Sequence, residues 1–189
     1  YNTIPIQVQP IPPGTFPYLR GNLANHGTVS EMPSHPVAPF WQGKQGEASG
    51  GIISPITLSA YGVFVSTGDG QLYSFDKETG DLRWRFQYEG SPSPQVSRAA
   101  IAIDSQIYVV DDTGIMYRIE DGITTKSATQ IWRVQLKVDN QSNAESLRPV
   151  TNFARNADCL IIGVRNDSNS HFIVSIRQSN GAQFCFTAK

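Results

Sequence analysis

The stretch from Gly68 to Trp84 constrains this chain more than any other. It opens on Gly68-Asp69-Gly70, a turn signal, after which Leu72, Ser74 and Asp76 alternate with Tyr73 and Phe75. That is the two-residue period of a half-buried strand. Asp76-Lys77-Glu78-Thr79-Gly80 is a tight connection, since an aspartate side chain can cap a turn and a glycine enters the left-handed region without a Cβ clash. Leu82, Trp84 and Phe86 then alternate as a second strand. The stretch is a β-hairpin that ends in a tryptophan.

The hairpin recurs. Gly70–Asp76 aligns with Gly114–Glu120 and, more weakly, with His171–Arg177. Each copy is preceded by an apolar strand, at Val63–Ser66, Ile107–Val110 and Leu160–Val164, and before that by a proline in Ser54-Pro55, Ser93-Pro94 and Arg148-Pro149. The copies close on Trp84, on Trp132 and, aligned through Gly80 and Gly181, on Cys185. Trp41 stands in the closing place of a unit that has no beginning. Four strands repeated every 40–50 residues or so is the period of propeller blades. A four-stranded sheet cannot bury both faces alone, so neighbouring sheets stack and a closing tryptophan wedges between them. A plain β-sandwich with fortuitous repetition is the alternative. Polar insertions at Asp121–Thr129 and Lys137–Leu147 fall where rim loops are tolerated and offer contact surface.

The pattern carried by Asp76, Thr79, Gly80 and Trp84 resembles the repeat of the PQQ-type β-propellers, a family of quinoprotein dehydrogenases and non-enzymatic scaffold propellers. Arg20-Gly21-Asn22 followed by Gly27 resembles the lead-in to the first blade of such proteins. The resemblance implies an all-β fold of four-stranded antiparallel blades: about three complete blades, over approximately 52–87, 93–136 and 148–187, plus an extra outer strand at Trp41. Residues 1–37 read as a Pro-rich extended arm and lead-in loop, and 38–189 as the blades. A closed propeller needs at least about four blades, so this is a partial ring. Its missing blades come from the same polypeptide or from a second chain.

Composition closes off other classes. With net charge −1 and no basic run, nothing favours nucleic acid or an anionic membrane surface. No apolar stretch is long enough for a membrane span. In the quinone-binding members the resemblance implies a tryptophan floor, a Ca²⁺ held by Glu, Asn and Asp, a catalytic Asp and vicinal cysteines. Here Cys159 and Cys185 are far apart, and the tryptophans stand at blade ends. Asp111-Asp112 could form a Ca²⁺ pair but reads better as a solvated turn before Gly114. His26, His35 and His171 are isolated. No catalytic, cofactor-binding or metal residue is therefore assigned; the residues singled out are structural, namely Asp76, Thr79, Gly80, Trp84, Trp132, Trp41 and Gly181.

The expected function is a non-catalytic protein–protein interaction scaffold without cofactor, a subunit of a periplasmic or extracellular cell-envelope assembly. The alternative is a fragment of a quinoprotein dehydrogenase whose catalytic blades lie outside this chain. Cys159 and Cys185, two strands apart in one blade, should have Cα atoms near 10 Å, beyond the roughly 4.4–6.8 Å of a disulfide. Both thiols are expected free and buried.

Overall fold

The computed structural model describes residues 50–89, 100–137 and 147–187, with side chains to residue 183. The 1–37 arm, Trp41, His26, His35, Ser93-Pro94 and most of the Lys137–Leu147 insertion lie outside the described residues.

Among the described residues, thirteen strands form three antiparallel sheets, each built in sequence order. Blade 1 contains β1 (Thr57–Leu58), β2 (Gly62–Thr67), β3 (Gln71–Asp76) and β4 (Leu82–Gln87). Blade 2 contains β5 (Ile101–Ile103), β6 (Gln106–Val110), β7 (Ile115–Gly122) and β8 (Ser127–Gln135). Blade 3 contains β9 (Arg148–Pro149) and β10 (Ala154–Asn156), both paired with β11 (Cys159–Arg165), then β12 (His171–Arg177) and β13 (Gln183–Thr187). Blade 3 is therefore a four-stranded meander whose first strand is interrupted. Blade 1 shows the same break, because Ile52 bridges Thr67 ahead of β1. In both, a hydroxyl fills the gap in the ladder: Ser54 Oγ accepts from Ser66 N at 2.9 Å, and Thr151 Oγ1 from Gly163 N at 2.8 Å. The register thus equates Ser54 with Thr151, three residues on from the sequence alignment of Ser54-Pro55 with Arg148-Pro149.

The blades stack through equivalent faces. Phe64, Leu72 and Trp84 of blade 1 pack on Ile107, Val109, Tyr117 and Ile119 of blade 2. Tyr108, Val110, Met116 and Trp132 of blade 2 pack on Leu160, Ile162, Val174 and Ile176 of blade 3. The matching residues of blade 1 are Val63, Val65, Tyr73 and Phe75, a third cluster. Every blade thus carries one face that receives its neighbour, which is why the apolar positions run through both faces of β2, β3, β6 and β7 rather than alternating. Blade 3 differs on its far side: Ile173 is 42% exposed where the equivalent Leu72 and Met116 are 0% exposed.

Two expectations need correction here. Asp121–Thr129 is not a loop: β7 and β8 stay paired through Asp121↔Ala128 and Gly122↔Ser127, closed by a turn in which Lys126 is left-handed at φ 49°. Cys185 does not take the tryptophan's place in the ladder. Trp84 lies opposite Ser74 because a bulge after Leu82 shifts the register, and Trp132 follows the same bulge opposite Arg118. The β12–β13 ladder is unbroken, so Phe184 stands opposite Ser175 and Cys185 opposite Val174.

Candidate functional site

The bulge that sets Trp84 also fixes Arg83, the extra residue on β4. A bulge re-aims a side chain relative to the alternating pattern, and Arg83 points into the contact with blade 2. There its Nη1 lies 2.9 Å from Asp121 Oδ2, the two side chains being 3% and 1% exposed. Asp121 Oδ1 accepts from the Trp84 indole at 2.7 Å. Arg83 Nη1 also donates to Ser74 Oγ at 3.2 Å, while Nη2 is buried with no acceptor among the described residues. One carboxylate therefore receives both the cation and the indole of the neighbouring blade. Charge-assisted bonds of this kind are among the strongest available to a protein, but a pair left partly unsatisfied fixes geometry more than it stabilises.

A second polar group lies at the opposite end of the same seam. Asp111 is fully buried, which corrects its reading as a solvated turn. Its Oδ1 accepts from Thr113 N at 2.9 Å, Thr113 Oγ1 at 2.6 Å and Ile115 N at 2.9 Å, and Oδ2 faces the Tyr117 hydroxyl at 3.4 Å. The carboxylate is turned inward to saturate its own hairpin rather than outward towards an ion. Burial pushes its carboxyl above the usual range, against the hydrogen bonds from Thr113, Ile115 and Tyr117. Burial likewise pushes the Tyr117 phenol up to about 12. Tyr88 is held beside it, its hydroxyl 2.9 Å from Ser66 Oγ and its ring 5.4 Å from that of Tyr117.

The seam between blades 2 and 3 repeats the geometry with other chemistry. The Trp132 indole donates to the main-chain carbonyl of Gln178 at 3.2 Å. Gln178 is the register equivalent of Asp121, since each follows the last residue paired with the preceding strand (Arg177 with Cys159, Glu120 with Gln106). Arg118 takes the place of Ser74, and exposed Ile131 the place of Arg83. Arg118 donates from Nη1 to Gln178 O at 3.0 Å and Ser179 O at 3.2 Å, and from Nε to Gln106 Oε1 at 2.9 Å.

The remaining sequence-selected residues divide between turns and seams. Asp76 Oδ1 accepts from Glu78 N and Thr79 N, Thr79 Oγ1 from Asp81 N, and Gly80 is left-handed at φ 74°. These hydrogen bonds hold the Asp76 carboxyl below the usual carboxylate range. Gly181 repeats the left-handed turn at φ 72°, and an added Cβ would lie 3.4 Å from the Trp132 ring. His171 is exposed at the start of β12. Cys159 is a free thiol but half-buried rather than buried. The offset between Cys159↔Arg177 and Val174↔Cys185 puts the two cysteines three further residues apart along the strands. Sequence reading missed Arg83 and Asp121; the available signal was Asp121 standing just past the position of Asp76.

The sequence matches the family profile described as outer membrane protein assembly factor BamB over residues 38–183. The chain belongs to the BamB family. No curated protein sequence matches it significantly. Among solved structures, BamB from Moraxella catarrhalis superposes with a TM-score of 0.52 at 18% identity, over 72% of this chain and 38% of that one. A quinohemoprotein alcohol dehydrogenase from Comamonas testosteroni gives 0.58 at 14% identity, over 73% of this chain and 21% of that one. The β-propeller domain of Cps50 (Swd1) from Myceliophteria thermophila gives 0.54 at 14% identity, over 73% and 41%. The chain therefore spans well under half the length of these propellers, and at such identities the likeness is one of fold.

A quinone with its Ca²⁺ does not fit the described residues. The buried carboxylates are saturated by their own seam and hairpin, both described tryptophans hold neighbouring blades, and no three His, Cys, Asp or Glu among the described residues are grouped to hold a metal ion.

Proposed function

We propose that this BamB-family chain is a non-catalytic scaffold that binds protein within a cell-envelope assembly on the periplasmic or extracellular side. The observation that carries this reading is the use of Asp121 and Trp84. A buried carboxylate and a buried indole are bonded to each other across a blade contact, so both serve the joining of blades. Family membership supports the envelope setting. Among the described residues no helix is long and apolar enough to cross a membrane. Exposed Ile173 supports a further neighbour on blade 3, supplied by missing blades of the same chain or of another. Residues 38–189 form the propeller portion in this reading, and the Pro-rich 1–37 segment lies along a partner.

A fragment of a quinoprotein dehydrogenase is the second reading, supported by the 0.58 superposition on the Comamonas enzyme. Purified chain incubated with Ca²⁺ and quinone separates the two. The scaffold reading expects no new absorption band and no dye-linked alcohol oxidation. A bound quinone spectrum or turnover would contradict it.

A further inference from the structure

The two seams solve the same electrostatic problem differently, and one solution is incomplete. Arg83 meets a carboxylate in the first seam. Among the described residues, Arg118 in the second meets only neutral acceptors, the carbonyls of Gln178 and Ser179 and the Gln106 amide, with the Tyr108 ring 6.0 Å from its Cζ. At this place a cleft of about 440 Å³ opens between blades 2 and 3, lined also by Arg155 and Arg177. Arg155 is exposed and donates its Nε to the Ala157 carbonyl at 3.3 Å. Among the described residues, no ion pair engages Arg118 or Arg155. Asp104 and Asp158 line the cleft too, leaving an excess of positive charge.

We propose that this cleft binds a carboxylate carried on an acidic peptide segment of a partner protein, which supplies in trans the acid that Asp121 supplies in cis to the first seam. Guanidinium groups match carboxylates in a two-pronged geometry that carbonyls cannot satisfy. A peptide suits the site better than a small hydrophilic acid because Ile131, outside the cleft lining but next in sequence to Trp132, whose indole bonds Gln178 at the cleft, is 43% exposed. A segment pairing an acidic with an apolar side chain would use both features. The proposal takes from the scaffold reading only that the ligand is a protein.

The test uses the full chain and a fluorescein-labelled, end-capped peptide with a Leu-Asp-Glu-Asp-Leu core, followed by anisotropy, beside the same peptide with Asn and Gln in place of the acids. Wild type should bind the acidic peptide at least about tenfold more tightly than the amide peptide. Arg155→Ala, at an exposed position, should weaken binding about five- to tenfold with an unchanged melting midpoint, while Arg165→Ala, at the other end of β11, should leave it unchanged. Equal affinity for the two peptides, or indifference to Arg155→Ala, overturns the proposal. Displacement by succinate at the peptide's own concentration would reassign the cleft to small acids and overturn the peptide partner. A chain that fails here yet shows no quinone chemistry loses the cleft and keeps the scaffold reading.

Discussion

Blade 1 meets blade 2 through a buried ion pair and a carboxylate-bound indole, whereas blade 2 meets blade 3 through main-chain carbonyls and amide side chains. The backbone positions are the same; the chemistry is not. In the first seam Arg83 and Asp121 need each other, because either alone would be a charge without solvent. In the second, Gln183 Nε2 donates to Gln135 O at 2.7 Å and Gln183 Oε1 accepts from Lys137 N at 2.9 Å. These neutral bonds leave no buried charge at risk. Trp84 is 6% exposed, and Trp132 is only half-buried. The first seam is specific and sealed; the second leaves its tryptophan half-buried and opens into the cleft lined by Arg118, Arg155 and Arg177. The propeller repeat fixes where blades touch and leaves open what they touch with.

The largest effect should come from the wedges. Trp84→Ala should cost about 3–5 kcal/mol in chemical denaturation, and Trp132→Ala clearly less; equal losses would remove the distinction between the seams. Asp121→Asn comes next, at about 3 kcal/mol, because Arg83 is left buried without its counter-charge. Gln178→Ala, the equivalent change in the second seam, should stay within about 0.5 kcal/mol, since the acceptor there is the main chain.

The remaining two predictions concern pH and have opposite signs. Burial raises the folded pKa of Asp111, so its favourable contribution is complete below the unfolded value and is lost as pH rises through the folded value. Asp111→Asn should therefore gain on wild type as pH is raised from about 3 to 7 in thermal melts. Asp76 has the reverse shift, from the Thr79 and Glu78 amides. Its contribution is present above the unfolded value and fades as pH falls through the lowered folded value. Asp76→Asn should show the smallest deficit of the set, largest at neutral pH and closing in acid.

The sequence made the blades legible because a hairpin signal is local: Asp76, Thr79 and Gly80 lie within five positions and their hydrogen bonds join near neighbours. The Arg83–Asp121 pair joins residues 38 apart, so no local pattern announces it. Arg83 also occupies an outward-facing place in simple alternation, and only the bulge turns it inward. Asp111 misled because a carboxylate in Asp-Asp-Thr-Gly looks solvated; which side of the turn it faces depends on Tyr117 and Ile115 across the hairpin. Spacing from Gly181 places Cys185 on the tryptophan position, and spacing alone carries no sign that β13 lacks the bulge of β4 and β8.

Hydrogen exchange of the tryptophan indoles, resolved by NMR and assigned with single Trp→Phe variants, tests the inequality of the seams most directly. Exchange reports the free energy of opening each contact separately. The Trp84 Nε1–H, held at 2.7 Å by the Asp121 carboxylate, should exchange more slowly than that of Trp132 and lose its protection selectively in Asp121→Asn. Equal rates for the two indoles, or a slower Trp132, would contradict a sealed first seam and an open second one.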